Sequence, residues 1–206
     1  MSSSRTPAVW RIAGRHFSDP PPADWRARLA TRLGERPRRV GPWVELALYG
    51  ALTCLDDAGE ARLPDAALLT LATVRGPDIA LRAALVEARD SLPLPIGFLT
   101  SQPSQALPAL ARYLGWRGDG RCLASRDALA TLQLACADAG PAGVLAGWVD
   151  EGNPLNSLWL RLVPAPEAAS RPTRPASFAE LADPVLAVLA FDAGGLRVAR
   201  PERAHD

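Results

Sequence analysis

The sequence predicts an α/β fold, with a mixed and mostly parallel sheet of about five strands covered by helices. Hydrophobic residues make up 48% of the 206 residues, which is enough to form the core of one compact domain. Short apolar segments alternate along the chain with longer amphipathic ones, as strands and helices do in layered α/β proteins. The apolar segments also lack polar alternation, which is typical of strands covered on both faces.

Five short apolar segments, each bounded by turn-forming residues, are predicted as strands. They are residues 8–13, 67–74, 121–124, 142–149 and 157–163. Residues 177–193 are predicted to form a helix followed by a further strand with the sequence VLAVLAF. The last segment, 194–206, is expected to be a solvated tail.

Helical periodicity is strongest after Pro42, where apolar residues recur at every third position: Trp43, Leu46, Tyr49, Leu52 and Leu55. Four other segments are also predicted as helices: 24–34, 78–90, 106–114 and 127–139. The proline-bearing stretch 91–104 is expected to be irregular. Residues 1–163 are therefore expected to form one domain. Residues 164–206 are expected to add a linker, a helix and strand, and a flexible tail packed on that domain.

Several common kinds of active site are excluded by composition. All 23 basic residues are arginine, so a Schiff-base or phosphate-binding lysine is absent. His16 and His205 lie near the chain ends, where we expect no packed scaffold to hold them, so catalytic triads and most zinc sites are disfavoured. No glycine-rich nucleotide motif is present, and the net charge of +1 does not suit a nucleic-acid binder. We predict no metal and no cofactor.

The cysteines predict a reducing compartment. Cys54, Cys122 and Cys136 are widely spaced and form no CxxC pair, so we expect buried thiols and not disulfides or a zinc knuckle. The N-terminus lacks the apolar core of a secretory signal. No stretch approaches 18 uninterrupted apolar residues, so no membrane span is predicted. The expected location is the cytoplasm.

A family resemblance emerges in residues 95–151. A Pro-x-x-Phe loop leads into a helix ending in LG, a glycine turn and a short strand. A sharp turn, an alanine-rich helix and a strand ending in Gly-x-x-Asp-Glu follow. This order resembles the N-terminal half of β-ketoacyl synthases, which have the thiolase fold. The helix GPWVELALYGALTCLDDAG and the early DPPPADW segment extend the resemblance, over roughly residues 8–163, to the shorter ketosynthase-like proteins of aryl-polyene and xanthomonadin-type pigment pathways.

The resemblance implies a site without a nucleophile. The glycine turn matches Gly115 and Gly118. The sharp turn that carries the catalytic cysteine in active ketosynthases matches four residues: Ser125, Arg126, Asp127 and Ala128. Asp127 therefore stands where the cysteine would be, or Arg126 does if the alignment slips by one residue. The family's two catalytic histidines belong to a C-terminal half that this sequence lacks. A carboxylate alone cannot carry an acyl chain or stabilise an enolate, so we expect a catalytically silent turn, with Asp127 either capping the next helix or contacting a partner.

The leading functional hypothesis is a non-catalytic, chain-length-factor-like partner of an active β-ketoacyl synthase. It would act in a type II fatty-acid, polyketide or aryl-polyene pigment pathway. In this family the strands that precede the sharp turns of two subunits pair across the dimer interface, so the resemblance implies a heterodimer. An arginine group near the N-terminus could also receive an acidic acyl carrier protein. Its members are Arg32, Arg36, Arg38 and Arg39.

Two alternatives stay open. The chain could be an acyl-transfer or hydrolytic enzyme with Asp127 as a base and Cys122 or a serine as nucleophile. The candidate serines are Ser101, Ser104 and Ser125. The chain could also be a homodimeric scaffold that binds acyl groups without a ketosynthase.

Overall fold

The computed structural model describes residues 9–90, 95–152, 155–165 and 172–200. The helices in these ranges are α1 Trp25–Leu33, α2 Pro42–Asp57, α3 Asp78–Asp90, α4 Pro95–Thr100, α5 Ala106–Leu114 and α6 Ala128–Asp138. The strands are β1 Val9–Ser18, β2 Leu68–Thr73, β3 Gly120–Ala124, β4 Val144–Asp150, β5 Asn156–Pro164, β6 Arg174–Pro175, β7 Val188–Asp192 and β8 Gly195–Ala199. None of the described helices is long and apolar enough to cross a membrane.

The eight described strands form one mixed sheet in the order β3-β2-β4-β5-β1-β7-β8-β6. The α/β class is confirmed, but the expected sheet of about five mostly parallel strands is wrong. Only β2 runs parallel to its neighbours, β3 and β4, and the other described strand pairs are antiparallel. The connection between Asp150 and Asn156 is too short for the crossover that a parallel β5 requires, so β5 must turn back along β4.

The C-terminal segment completes the sheet. The expected solvated tail 194–206 contains β8, which pairs with β7, while residues 201–206, including His205, lie outside the described residues. Leu196 and Val198 of β8 are buried. Two alternating apolar residues are too short a pattern to predict a strand. The Arg15 guanidinium donates to the backbone carbonyls of Leu181, Asp183 and Leu186 and so ties this segment to β1.

Other boundaries also differ from expectation. The predicted helix within 177–193 is only a 3₁₀ turn, Ala179–Ala182, before β7. In the stretch 91–104, which was expected to be irregular, α4 is followed by a 3₁₀ turn, Pro103–Gln105, while residues 91–94 lie outside the described residues. The expected linker 164–176 contains β6, which pairs with β8.

A bulge at Ala13 changes which side chains of β1 face which side of the sheet. The register against β5 shifts between Ile12, opposite Leu162, and Gly14, opposite Arg161. Before the shift, Ile12 packs in the core beneath α6. After it, Gly14 lies against the C-terminal turn of α2. A single extra residue thus turns the second half of β1 toward the other face.

Helix α2 packs directly on the sheet, with one indole ring from the sheet in contact with it. Trp159 of β5 is fully buried, and its ring lies between Gly50 of α2 and Gly147 of β4. A Cβ atom at either glycine would overlap the indole. At the start of α2, the indole Nε1 of Trp43 donates to the Val149 carbonyl at 3.0 Å. These contacts fix both the distance of α2 from the sheet and its position over the strands.

Helix α3 is amphipathic, as expected, but buries none of its residues. Its chief neighbour is α4, and none of the residues of α4 is buried either. The apolar residues that predicted a packed helix therefore face solvent.

We expect Gly50→Ala to destabilise the fold, because the new methyl group must displace the Trp159 indole or lift α2 from the sheet. Overpacking of this kind costs about 1–3 kcal/mol of the free energy of unfolding. Urea denaturation followed by circular dichroism measures the change. Gly140→Ala is the control, since a Cβ there meets no other atom within 4 Å. Equal stabilities of the two variants would show that α2 is not held by this contact.

Candidate functional site

The candidate site lies where the parallel strands β2, β3 and β4 end. The carboxyl ends of parallel strands are the usual place for a site in α/β sheets. The turn after β3 is attached to the end of β2, because the Ser125 N–H donates to the Thr73 carbonyl at 3.0 Å. The Thr73 hydroxyl in turn donates to the Asp150 carboxylate at the end of β4, at 2.6 Å.

At the turn itself, the Asp127 carboxylate caps α6. Its Oδ1 accepts a hydrogen bond from the Ala130 N–H at 2.8 Å, and its backbone is extended, as is usual for an N-cap residue. Ser125 is occupied locally, because its Oγ accepts from the Asp127 N–H at 3.1 Å and donates to the Asp127 carbonyl at 3.3 Å. The Asp127 side chain thus has a structural role that needs no substrate. Arg126 is exposed beside it.

The two residues of the glycine turn have separate structural roles. Gly115 ends α5 in the left-handed conformation, with φ of 61°, and its N–H bonds back to α5. Gly118 allows close approach of two segments, since a Cβ there would overlap the Asp65 carbonyl oxygen. Both therefore shape the approach to β3.

The thiols are poorly suited to nucleophilic chemistry. Cys54 and Cys136 are buried; burial raises the pKa of Cys136 to about 12 and that of Cys54 further. Cys122 is half-buried within β3, where burial also raises its pKa and its Sγ lies 3.7 Å from the Pro103 carbonyl. A reactive cysteine needs the opposite shift, because the thiolate is the nucleophile.

Among the serines expected as alternatives, Ser101 is buried, and its hydroxyl donates to the Phe98 carbonyl at 2.8 Å. Ser104 is exposed in the 3₁₀ turn after α4. Neither hydroxyl has a described hydrogen bond to a histidine or carboxylate, so the described contacts activate neither.

His16 is held in a packed scaffold, contrary to expectation. It lies in β1 opposite Trp159, and its ring stands edge-on to Tyr49 of α2, with centroids 5.3 Å apart. Burial lowers the pKa of His16 to about 4. Its Nε2 has no hydrogen-bond partner among the described protein atoms. The imidazole thus lies beneath α2 in the antiparallel part of the sheet, apart from the turn after β3.

The carboxylates at the end of β4 were not identified from the sequence as site residues. Asp150 Oδ1 also accepts from the N–H groups of Val74 and Arg75, both at 2.9 Å, and so closes the loop after β2. Glu151 is buried, and its Oε2 accepts from the Ile79 N–H at 2.9 Å in the first turn of α3. Burial raises the pKa of Glu151. The one available sequence signal was the Asp-Glu pair directly after an apolar strand.

Of the arginine group, two members have acid partners on their own chain. Arg32 forms an ion pair with Asp56 at 2.8 Å, and Arg36 approaches the buried Glu45 at 3.6 Å. Arg38 and Arg39 are exposed and have no described ion pair with an acid.

With Arg112 of α5, Arg38 and Arg39 border a groove that opens to solvent. Arg112 likewise has no described acid partner, and its guanidinium lies over the Tyr113 ring. The groove floor is mainly apolar and includes Val44, Leu99 and Ala109. No group of three or more histidine, cysteine or acidic side chains within the described ranges could hold a metal ion.

Comparison with solved structures shows the fold. A chain of the complex between the ketosynthase ApeO and its chain length factor ApeC, from Xenorhabdus doucetiae, matches with a TM-score of 0.52 and 14% identity, over 84% of this chain and 85% of that one. The ishigamide ketosynthase/chain length factor matches with a TM-score of 0.50 and 16% identity, over 89% of this chain and 65% of that one. The fold is thiolase-like.

At these identities the similarity extends to the fold alone. The expected resemblance to ketosynthases is confirmed at that level. No protein-family model matches the sequence, and no curated protein matches it.

The partly buried His16 makes stability depend on pH. Because its folded pKa of about 4 is below the ordinary 6.5, the unfolded chain binds more protons between these values. We therefore expect the free energy of unfolding to fall by up to about 3 kcal/mol as the pH is lowered from 6.5 to 4. His16→Gln removes the titrating group, so its free energy of unfolding, measured by urea denaturation, should change less between pH 6.5 and 4. Parallel pH profiles of the two proteins would contradict the assignment.

Proposed function

We propose that the chain is a non-catalytic, chain-length-factor-like subunit that pairs with an active ketosynthase in a type II fatty-acid, polyketide or aryl-polyene pigment pathway. One observation carries this proposal. The sharp turn after β3, where the ketosynthases it resembles hold their cysteine, carries Asp127, and the Asp127 carboxylate is engaged in capping α6. A thiolate is required to hold an acyl chain during condensation, and this turn offers none.

The surrounding groups support the same proposal. The pKa shifts of the three thiols favour the protonated form, and the partly buried His16 lies beneath α2. The alternative of an acyl-transfer or hydrolytic enzyme has no described nucleophile–base contact in its favour. The alternative of a homodimeric acyl-binding scaffold likewise has no contact among the described residues that favours it.

The sheet offers an edge for a partner. Among the described strands, β3 is the last on its side and pairs only with β2. Its outer backbone groups are therefore available to a strand of another subunit, and the exposed Gly120, Arg121 and Ala124 leave the approach open. The two solved structures named above are a ketosynthase in complex with a chain length factor and a ketosynthase/chain length factor, which suits this mode of pairing.

Reconstitution tests the proposal. The full chain is co-expressed with each ketosynthase of its own organism, and the expected result is a stable complex with one of them, whose product length changes when the chain is omitted. Asp127→Asn is the matched variant, because asparagine caps helices as well as aspartate does. It should leave complex formation and product length unchanged. Stoichiometric labelling of the isolated chain by an acyl-thioester or fluorophosphonate probe would instead establish an enzyme, and absence of any complex would overturn the partner role.

We further propose that the groove bordered by Arg38, Arg39 and Arg112 receives an acyl carrier protein. Guanidinium groups that have no acid partner among the described residues, placed around an apolar floor, suit an acidic helix with an apolar face. Arg36 contributes less, because it already approaches Glu45.

Charge reversal tests the carrier contact. Arg38→Glu and Arg112→Glu are each expected to weaken binding of the organism's own carrier protein several-fold at low ionic strength, and less at high ionic strength. Arg200→Glu, an equal charge change at the exposed residue directly after β8, is the control and should bind as the unaltered chain does. Equal weakening by all three variants would indicate only a change of net charge.

A further inference from the structure

The Glu151 carboxylate joins the first turns of two helices, α2 and α3. Glu151 follows β4 directly and is 3% exposed. Its Oε2 accepts a hydrogen bond from the Ile79 N–H of α3 at 2.9 Å, and the Trp43 N–H of α2 also stabilises the carboxylate. Its Oε1 is buried and has no hydrogen-bond partner among the described protein atoms. Burial of a carboxylate is costly unless its charge is offset, and the positive N-terminal ends of the two helices supply that offset.

Glu151 is a main attachment of α3 to the sheet. The first N–H groups of a helix have no partner within the helix itself. The Asp78 carboxylate, at the first position of α3, is paired with Arg82 at 2.8 Å, and the described acceptor for the Ile79 N–H is Glu151. Asp150 holds the loop before α3, but the helix buries none of its residues. Because apolar packing adds little, the hydrogen bond to Glu151 contributes much of what fixes the direction of α3.

Helix α3 in turn supports α4. The two helices approach closely, since a Cβ atom at Gly97 of α4 would lie 2.9 Å from the Glu87 Oε2 of α3. None of the residues of α4 is buried. Segments with few buried apolar contacts open locally at a lower free energy than core elements do. The pair α3 and α4 therefore moves more readily than α2 or α5, both of which bury several residues.

Helix α4 forms part of the arginine-bordered groove that is proposed to receive the carrier protein, which we call the carrier groove. Ile96 and Leu99 of α4 line this groove together with Val44 of α2 and Ala109 of α5. Ile96 is 46% exposed and Leu99 47% exposed, so both are available to the apolar face of a docked helix. Because α4 supplies part of the lining and α2 and α5 supply much of the rest, the position of α4 relative to α2 sets the width of the groove.

We propose that Glu151 is a positioning residue for carrier binding. It caps α3 and thereby holds α4 at the distance from α2 that an acidic helix with an apolar face requires. Glu151 itself does not line the groove, so its effect passes through α3 and α4. A groove wall that is already in place lowers the cost of ordering on binding. This inference rests on the carrier groove of the proposed function.

Hydrogen–deuterium exchange of the full chain tests the attachment of α3. Glu151→Ala removes the acceptor for the Ile79 N–H, whereas Glu151→Gln makes the same charge change and retains a carbonyl oxygen. We expect Glu151→Ala to accelerate amide exchange in α3 and α4 by about tenfold or more, with exchange in α6 unchanged, and Glu151→Gln to restore most of the protection. Local exchange is the decisive measurement, because Glu151→Ala also removes a buried oxygen that has no described partner and so need not lower the global stability.

Carrier binding tests the second step. Biolayer interferometry with the organism's own carrier protein is expected to show binding weakened several-fold by Glu151→Ala and nearly unchanged by Glu151→Gln. The weakening should be similar at low and high ionic strength, unlike that of Arg112→Glu, because Glu151 does not contact the carrier protein. The control is Arg15→Ala, which removes the hydrogen bonds of the Arg15 side chain to the C-terminal segment, and none of the residues in these bonds lines the groove. It should bind the carrier protein as the unaltered chain does.

The outcomes separate this inference from the proposed function. If the unaltered chain binds the carrier protein and Glu151→Ala changes neither exchange in α3 and α4 nor the affinity, the positioning role is wrong while the carrier groove stands. Faster exchange in α3 and α4 with unchanged affinity overturns the role as well, because the wall then does not matter for binding. Faster exchange throughout the chain, α6 included, or equal weakening by Arg15→Ala would reduce Glu151 to a general structural role. If the unaltered chain binds no carrier protein, the carrier groove fails and the positioning role fails with it.

Discussion

The position of α2 on the sheet depends on the indole of Trp159, which fits between Gly50 and Gly147 because neither has a side chain. This close approach determines where the elements next to α2 lie. It brings the start of α2 to the end of β4, where the Trp43 indole bonds to the Val149 carbonyl. The loop before α2 is thereby placed beside α5, and the Arg38 N–H bonds to the Tyr113 hydroxyl at 3.2 Å. The position of α2 therefore determines three features: the groove beside α5, the contact with the end of β4, and the contact of Gly41 with Thr100 of α4.

The turn after β3 and the start of α6 can be stabilised without a nucleophile. An N-terminal helix cap requires only an acceptor for a backbone N–H, and aspartate meets that requirement better than cysteine does. A chain that keeps Asp127 keeps the turn, the start of α6 and the attachment of the turn to Thr73. Under the function proposed above, the partner supplies the acyl-carrying thiol, so a helix cap at this position costs the assembly no activity.

Much of the architecture could be predicted from the sequence, because long periodic segments determine their own structure. Helices α2 and α6 and strands β2 and β4 lie close to their predicted positions. The parallel pairing of β2 with β3 and β4 agrees with the prediction, but the direction of the remaining strands was wrong, because the sequence pattern reports burial and not pairing. Strand β8 was missed because its pattern spans only two apolar residues, Leu196 and Val198. At the site, the cap at Asp127 was predictable from capping preference. The packing of His16 against Tyr49 was not predictable, because it depends on contacts between distant segments.

The exposure of α3 illustrates a different limit. Its amphipathic pattern was read correctly as a helix, but such a pattern says only that one face avoids water and not which molecule covers it. A helix that packs on its own domain and one that packs on another subunit carry the same signal. The distinction appears only when the domain is complete and the face remains uncovered.

The bulge at Ala13 constrains how this fold can vary. Closing the bulge while keeping every residue of β1 would place Ala13 opposite Arg161 and turn Gly14, His16 and Ser18 away from α2. The Cβ of Ala13 would then lie against the C-terminal turn of α2, where only a glycine fits. Deleting Ala13 would instead give a regular strand whose other residues keep their faces. Among descendants of this sequence, therefore, a change of one residue in the length of β1 should be found at the bulge, and other insertions or deletions should lie in the loops.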